Sequence, residues 1–198
     1  MIRIALLAAV IAVPVAAAPL DDIGAALRAT STMTADFAQT AANGTVATGK
    51  FALSRPGRIR FAYDKLPLLV VADGKRLVYI DYEVSQVSEW PIGSTPLAPL
   101  LDARFDLARV AHVTRSAAND VDVEARDAKH PEYGKLNLRF VRDTAAPGGW
   151  SIAGWTATDA QSNLTEIRLS NLRYNTPVAA SLFQFRDPRA RKLPGRTF

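Results

Sequence analysis

Two turn signals between short alternating segments in residues 51–87 constrain the fold most strongly. Pro56-Gly57 suits a type II turn, because Pro fixes φ at the second position and Gly supplies a positive φ at the third. Asp73-Gly74 lies between apolar runs and predicts a type I′ hairpin turn, which needs positive φ at both central residues. Apolar and charged residues alternate over 58–63, as in a strand with one apolar face. This part of the chain is therefore predicted to form two consecutive β-hairpins.

The same pattern continues along the chain, with two helical interruptions. Apolar spacing and two acids in the first turn predict a helix over residues 20–30. Leu97, Leu100 and Leu101 fall at helical spacing and predict a second helix within 95–103, which begins either near Thr95 or only at Pro99. The predicted strands are 33–40, 45–54, 58–63, 68–72, 77–81, 85–90, 110–114, 121–125, 135–142, 150–158, 164–174 and 183–186. A long antiparallel meander of this kind curls into an open barrel or a sandwich, with the helices available to cover its concave side.

The first 17 residues have the pattern of a secretory signal peptide. Arg3 gives the charged start, residues 4–15 form an apolar core, and small residues precede Ala18. A membrane anchor is the alternative, but the apolar run is shorter than the roughly 20 residues that a span needs. We therefore expect export to the periplasm and cleavage of residues 1–17.

Cysteine content and charge limit the class of protein to which the mature chain can belong. The chain contains no cysteine, so neither a disulfide nor a lipid-modified cysteine is expected. Residues 18–198 have the size of a single domain, with 23 basic and 19 acidic side chains. Basic residues crowd the end of the chain, where they form either a solvated tail or a surface for anionic headgroups or an acidic partner: Arg186, Arg189, Arg191, Lys192 and Arg196.

The side chains needed for common enzyme and metal sites are scarce. With no cysteine and only two histidines, thiol nucleophiles and histidine-rich metal sites are not expected. The acids of Asp120-x-Asp122-x-Glu124 share one strand face and could hold a hard cation, although solvated side chains are the commoner arrangement. Tyr63, Tyr79, Tyr82 and Trp90 could stack on single-stranded nucleic acid, but export and alternation favour a core role. We predict no enzyme, cofactor, metal or nucleic-acid partner.

The order of these motifs resembles that of the outer-membrane lipoprotein carrier (LolA) family, over roughly residues 21–188. The resemblance rests on the following residues: Phe37-x-Gln39, Gly49, Arg55-Pro56, Asp73-Gly74, Thr95-Pro96-Leu97, Asp159 to Ile167, and Phe183-x-Phe185. It implies a mainly β fold, an open (incomplete) antiparallel β-barrel covered by short lid helices.

The resemblance also implies a site, because those carriers hold acyl chains in the concave hollow of the barrel. The face of Ile59, Phe61 and Tyr63 is core by default and becomes a ligand surface if the hollow is unfilled. On this interpretation the hollow is lined by Phe51, Leu53, Ile59, Phe61, Tyr63, Leu97 and Leu100. The family's Arg-Pro arginine, here Arg55, would hydrogen-bond the lid; a solvated arginine beside a turn is the alternative.

The implied function is that of a soluble periplasmic monomer in lipoprotein transport. Such a carrier takes lipoprotein acyl chains from an inner-membrane lipoprotein-releasing transporter and passes them to an outer-membrane lipoprotein acceptor. The main alternative is a periplasmic sensor or regulator that binds lipoprotein or another envelope lipid in the same hollow. An enzyme built on this sheet is a third class, which turnover of a lipid would establish.

Cleavage of the signal peptide is directly testable. We expect the exported protein to begin near Ala18, because the small residues Val15-Ala16-Ala17 precede it. N-terminal sequencing of the protein from a periplasmic extract measures this. A membrane-bound product that retains Arg3 contradicts both the localisation and the carrier interpretation.

Overall fold

A computed structural model describes residues 20–95, 97–101, 107–159 and 161–189. Helix α1 spans Leu20–Ala29, and α2 is a single turn over Ala98–Leu101. The strands are β1 Thr32–Ala41, β2 Val46–Ser54, β3 Arg58–Tyr63, β4 Leu68–Asp73, β5 Arg76–Asp81, β6 Gln86–Pro91, β7 Ala111–Ser116, β8 Asp120–Arg126, β9 Lys135–Arg142, β10 Trp150–Thr158 and β11 Leu164–Tyr174. The fold is therefore mainly β, and the predicted strands from residue 33 to residue 174 are confirmed with small differences at their ends.

All eleven strands form one antiparallel sheet that does not close. Their order is β6-β5-β4-β3-β2-β1-β11-β10-β9-β8-β7, so the two halves of the chain meet where β1 pairs with β11. Strands β6 and β7 are the two edges and do not pair with each other. The predicted open, incomplete barrel is confirmed.

Ring contacts show how strongly the sheet curls. The rings of Phe61 on β3 and Trp155 on β10 have centroids 6.1 Å apart, although three strands lie between β3 and β10. In a flat sheet, strands four spacings apart would be separated by roughly 19 Å. The inner faces of the two halves therefore pack against each other, and together with α1 and α2 they form the main hydrophobic core.

A second, smaller core lies on the outer face of β2–β5. There Leu69, Val71, Val78 and Ile80 pack under a segment that contains Phe183. We predicted a strand over 183–186, and this was wrong: Ala180–Phe183 is a 3₁₀ turn, and no regular structure follows it up to Arg186. The segment crosses the face of the sheet instead of extending an edge. Its carbonyls at Leu182 and Gln184 accept hydrogen bonds from Arg60 rather than from a neighbouring strand.

The two hairpin turns agree only partly with their sequence signals. Gly57 has the predicted positive φ (76°), and the Arg55-Pro56 peptide bond is cis. At the second turn, the type I′ prediction was wrong, because Asp73 is the last residue of β4 and only Gly74 has a positive φ (103°). The Asp73 carboxylate instead accepts from the backbone N–H groups of Lys75 and Arg76 at 2.8 and 2.9 Å. A two-residue Gly-Lys loop with Gly first matches the type II′ preference.

The helices lie close to their predicted positions. The acids Asp21 and Asp22 are in the first turn of α1, and Ile23 and Ala26 face the core. Helix α2 begins at Ala98, immediately before Pro99, which agrees with the later of the two predicted starts. No helix in residues 20–95, 97–101, 107–159 and 161–189 is long and apolar enough to cross a membrane. The signal-peptide prediction and the basic residues Arg191, Lys192 and Arg196 lie outside the described residues.

Gly49 on β2 should resist enlargement. A Cβ atom there would meet the Ala62 carbonyl oxygen and lie 2.6 Å from Cε1 of Phe37. We expect Gly49→Ala to lower the free energy of unfolding by about 1–3 kcal/mol through overpacking. In the matched control Gly93→Ala, the new Cβ has no heavy atom within 4 Å, and the change should stay within ~0.5 kcal/mol. Urea unfolding measures both variants, and equal stabilities contradict the packing argument.

Candidate functional site

An apolar pocket lies between the inner face of the sheet and the two helices. Its floor and walls come from β1, β2, β3, β9, β10 and β11: Met33, Phe51, Leu53, Ile59, Phe61, Phe140, Trp150, Ile152, Trp155 and Tyr174. Its cover comes from α1, α2 and their flanks: Ala26, Leu27, Thr30, Leu97 and Leu101. Arg55 completes the lining at the turn between β2 and β3. Apolar atoms form nearly all of the solvent-accessible surface inside the pocket.

Aromatic rings in edge-on and tilted contacts fix the wall on the β2–β3 side. The Phe51 and Phe61 centroids are 4.8 Å apart, and Phe37 meets Phe61 edge-on at 5.3 Å. Trp155 closes the group from the other half of the sheet, 6.2 Å from Phe51. Such pairs contribute about 0.5–1.5 kcal/mol each beyond their burial, so they stabilise this wall of the pocket.

Two polar side chains of the lining make hydrogen bonds to other groups of the protein. The Thr30 hydroxyl donates to the Ala26 carbonyl at 3.0 Å. The Tyr174 and Ser151 hydroxyls share a 2.6 Å hydrogen bond. Burial raises the pKa of Tyr174, so its phenol stays neutral. Neither group adds charge to the pocket.

Trp150 differs, because its indole Nε1 is buried and has no hydrogen-bond partner among the described residues. A buried indole N–H normally finds an acceptor. The Arg142 guanidinium lies over the same ring, with its carbon 4.0 Å from the ring centroid.

Arg55 joins the sheet to the end of α1. Its Nη1 donates to the Leu27 carbonyl at 2.7 Å and to the Thr30 carbonyl, and its backbone N–H donates to the Ser31 carbonyl at 2.9 Å. The last carbonyls of a helix lack intrahelical donors and carry the negative end of its dipole, which favours a cation there. Burial lowers the pKa of Arg55 to about 10, so the guanidinium remains charged at neutral pH while its desolvation opposes closure.

The same turn also holds α2. The Gly57 backbone N–H donates to the Leu101 carbonyl at 2.9 Å. One three-residue turn, Arg55-Pro56-Gly57, therefore bonds both covering helices. The sequence motif indicated the arginine, but it did not indicate this second, backbone bond.

The pocket is narrow in this structure. Its total unoccupied space is about 540 Å³ including the open mouth, but the region where the centre of a water molecule fits measures only about 30 Å³. Because one water needs roughly 10–15 Å³ of such space, there is room for about two. Any larger ligand therefore requires α1 and α2 to move away from the sheet.

The structure brings most of the predicted site residues together. Phe51, Leu53, Ile59, Phe61, Leu97 and Arg55 all line the pocket. Tyr63 lies beside it and is absent from the lining; its hydroxyl donates to Oε1 of Gln39 at 2.6 Å, and burial raises its pKa to about 12. The side chain of Leu100 lies outside the described residues. Their role as a ligand site stays a prediction.

The sequence analysis missed the half of the wall that comes from the second half of the chain. These residues are Met33, Phe140, Trp150, Ile152, Trp155 and Tyr174, with Ala26, Leu27 and Leu101 from the helices. Alternation of Leu136, Leu138 and Phe140 showed which face of β9 is apolar. It could not show that this face meets β3, because that depends on the curl of the sheet.

The acidic strand face is occupied by cations from the protein itself. Arg115 pairs with Asp120 at 2.7 Å and with Asp122 at 2.6 Å, and Lys135 pairs with Glu124 at 2.8 Å. These contacts hold the pKa values of Asp120 and Glu124 below their usual range. Within the described residues, no group of three potential ligands is placed to hold a metal ion.

Comparison with known proteins identifies the family. The family model "Outer membrane lipoprotein carrier protein LolA" matches residues 28–186. The chain belongs to this lipoprotein carrier family. An outer-membrane lipoprotein carrier protein of Legionella pneumophila (strain Corby) is 30% identical over 178 residues, which cover 82% of this chain and 83% of the relative. The carrier of Dechloromonas aromatica is 30% identical over 189 residues, 90% and 88% of the two chains. A crystal structure of a LolA superfamily protein from Nitrosomonas europaea aligns with 84% of this chain and 97% of that chain, with a TM-score of 0.47 and 10% identity.

Removal of the Arg55 bonds should loosen the cover without unfolding the sheet. We expect Arg55→Leu to speed hydrogen exchange of the last-turn amides of α1 by about tenfold, a loss of roughly 1.4 kcal/mol. Urea unfolding of the sheet should change by no more than ~1 kcal/mol. The matched control is Arg58→Leu, an exposed arginine on the same hairpin. If hydrogen exchange in α1 is equally slow in Arg55→Leu and Arg58→Leu, the Arg55 side chain does not hold the end of α1 on the sheet.

Proposed function

We propose that this protein is a soluble, monomeric periplasmic carrier for lipoproteins. It binds the acyl chains in the pocket beneath α1 and α2, receives them from an inner-membrane lipoprotein-releasing transporter and delivers them to an outer-membrane acceptor. The observation that carries the proposal is an almost wholly apolar pocket whose two covering helices are both hydrogen-bonded by the turn Arg55-Pro56-Gly57.

The chemistry of the pocket suits acyl chains. Each methylene moved from water into such surroundings contributes about 0.8 kcal/mol, and the lining offers rings and branched side chains for those contacts.

Transfer also requires release of the acyl chains. The hydrogen bonds that hold α1 and α2 on the sheet are weak enough to allow this release. Hydrogen bonds from a charged group contribute about 1.5–3 kcal/mol, and a neutral backbone bond contributes about 1 kcal/mol. The desolvation that lowers the pKa of Arg55 offsets part of this gain. Closed and open forms then differ by little, so contact with a partner can shift the balance between them.

The described lining is suited to binding rather than to bond-breaking. The polar groups of Thr30, Tyr174 and Arg55 are held by structural hydrogen bonds within the fold. Trp150 adds a donor with no acid–base function near neutral pH. We therefore propose a carrier without enzymatic activity and without a cofactor.

Loading and delivery can be measured separately with the Arg55→Leu variant. Purified protein is incubated with inner-membrane vesicles that release a tagged lipoprotein, and the loaded complex is then moved to outer-membrane vesicles. We expect Arg55→Leu to accept cargo normally but to deliver it several-fold less, because the open–closed balance shifts once the latch is lost. Arg58→Leu serves as the control and should match the unmodified protein in both steps.

Three outcomes separate the candidate functions. Normal delivery by Arg55→Leu removes this residue from the mechanism. Unmodified protein that binds lipoprotein but never delivers it favours the sensor or regulator. Hydrolysis of a lipid by the purified protein, detected by mass spectrometry, would establish an enzyme.

A further inference from the structure

The joint between α1 and β1 is held by a residue from the second half of the chain. Two residues, Thr30 and Ser31, separate the end of α1 at Ala29 from the start of β1 at Thr32. Asn175 follows β11, which pairs with β1, so it comes to the same end of the sheet as this joint. Any movement of α1 away from the pocket passes through the joint, since β1 lies in the middle of the sheet.

The Asn175 side chain bonds both sides of the joint. Its Oδ1 accepts hydrogen bonds from the backbone N–H of Ser31 at 2.8 Å and from the Ser31 hydroxyl at 3.0 Å. Its Nδ2 donates to the Ala29 carbonyl at 3.0 Å. The Asn175 backbone N–H also donates to the Thr32 carbonyl at 2.9 Å. One side-chain amide therefore links the last residue of the helix to the chain that enters the strand.

The backbone at this position suits an asparagine and offers a matched comparison. Asn175 has a φ of 54°, in the left-handed region where asparagine is one of the few common non-glycine residues. Asn171 on β11 has nearly the same φ, 53°, and its Nδ2 donates to the Asp36 carboxylate on β1 at 2.7 Å. Because glycine tolerates this φ, a change of either asparagine to glycine removes the side-chain bonds without straining the backbone.

Arg55 holds α1 from the other side of β1 and at a point further into the helix. Arg55 follows β2 and Asn175 follows β11, and these two strands are the neighbours of β1. Arg55 Nη1 reaches the Leu27 carbonyl, four residues before Ser31, and two further bonds from Arg55 lie at the joint itself. A rotation of α1 about Ser31 moves Leu27 about twice as far as Ala29, since distance along a helix is proportional to residue number. The Leu27 bond is therefore lost before the bonds of Asn175.

We propose that Asn175 is a positioning residue of the cover, which keeps the joint in place while α1 swings away from the pocket. The helix then opens as a hinged flap and stays attached to the sheet at one end. Asn175 is uncharged, so it holds the joint without the desolvation cost that opposes Arg55. The inference rests on the proposed function only in treating α1 as a cover that moves.

Distances between spin labels test the swing. The chain contains no cysteine, so labels can be attached to cysteines introduced at exposed positions. Asp22→Cys reports the start of α1, Arg28→Cys reports its last turn, and Ala42→Cys in the β1–β2 turn is the common reference. Double electron–electron resonance measures both distances in the purified exported protein, without lipoprotein.

The two anchors should give different label movements. In Arg55→Leu we expect the Asp22 label to move about three times as far as the Arg28 label, because the joint stays in place. In Asn175→Gly we expect the Arg28 label to move as far as the Asp22 label, because the joint itself is released. The control Asn171→Gly should leave both distance distributions as they are in the unmodified protein.

Each outcome decides the proposal. Equal movement of the two labels in Arg55→Leu, or movement of neither, contradicts a swing about the joint. An Arg28 distance in Asn175→Gly that matches the control overturns the role of Asn175, even where urea unfolding shows a loss of stability. If Asn175→Gly fails to fold, Asn175→Asp takes its place, because a carboxylate keeps the acceptor for Ser31 but cannot donate to Ala29. Because no lipoprotein is present, a negative result leaves the carrier proposal untouched, and failed delivery with the expected label movements contradicts the carrier alone.

Discussion

The contact between Phe61 and Trp155 is the constraint on which the rest of the structure depends. It joins the inner faces of two half-sheets whose strands pair only between β1 and β11. The contact exists because an open sheet of eleven strands must bury its apolar face on itself. This curl creates a concave interior that the two half-sheets do not fill completely. The remaining space is the pocket, and α1 and α2 cover it.

The cover is held by interactions of a different kind from those that hold the sheet. The sheet is fixed by ladders of backbone bonds and by ring contacts, whereas the helices are held by the apolar packing of Ile23, Ala26 and Leu101 and by hydrogen bonds from Arg55 and Gly57. The guanidinium of Arg55 is costly to desolvate, and its hydrogen bonds to the helix carbonyls offset part of that cost. The wall and the cover of the pocket therefore differ in the interactions that hold them.

Local sequence signals predicted local structure well. They were wrong where contacts beyond the local pattern determined the backbone conformation. Helix α1 and the strands between residues 33 and 174 followed from alternation and turn residues. The Asp73-Gly74 pair correctly marked a hairpin, but the turn type differed because the Asp73 carboxylate bonds the loop amides. The segment 183–186 alternates like a strand, yet Arg60 binds its carbonyls and holds it across the outer face.

The sequence by itself determined a signal-like start, an antiparallel meander, the apolar face of Phe51, Leu53, Ile59 and Phe61, and the position of Arg55 at a strand end. These properties depend on residues within a few positions of one another. Only the tertiary structure decided that Trp150 and Trp155 complete the wall, that Tyr63 lies outside it, and that the pocket is nearly closed. The reason is that curvature sets which strands face each other across the interior, and curvature is a property of the whole sheet.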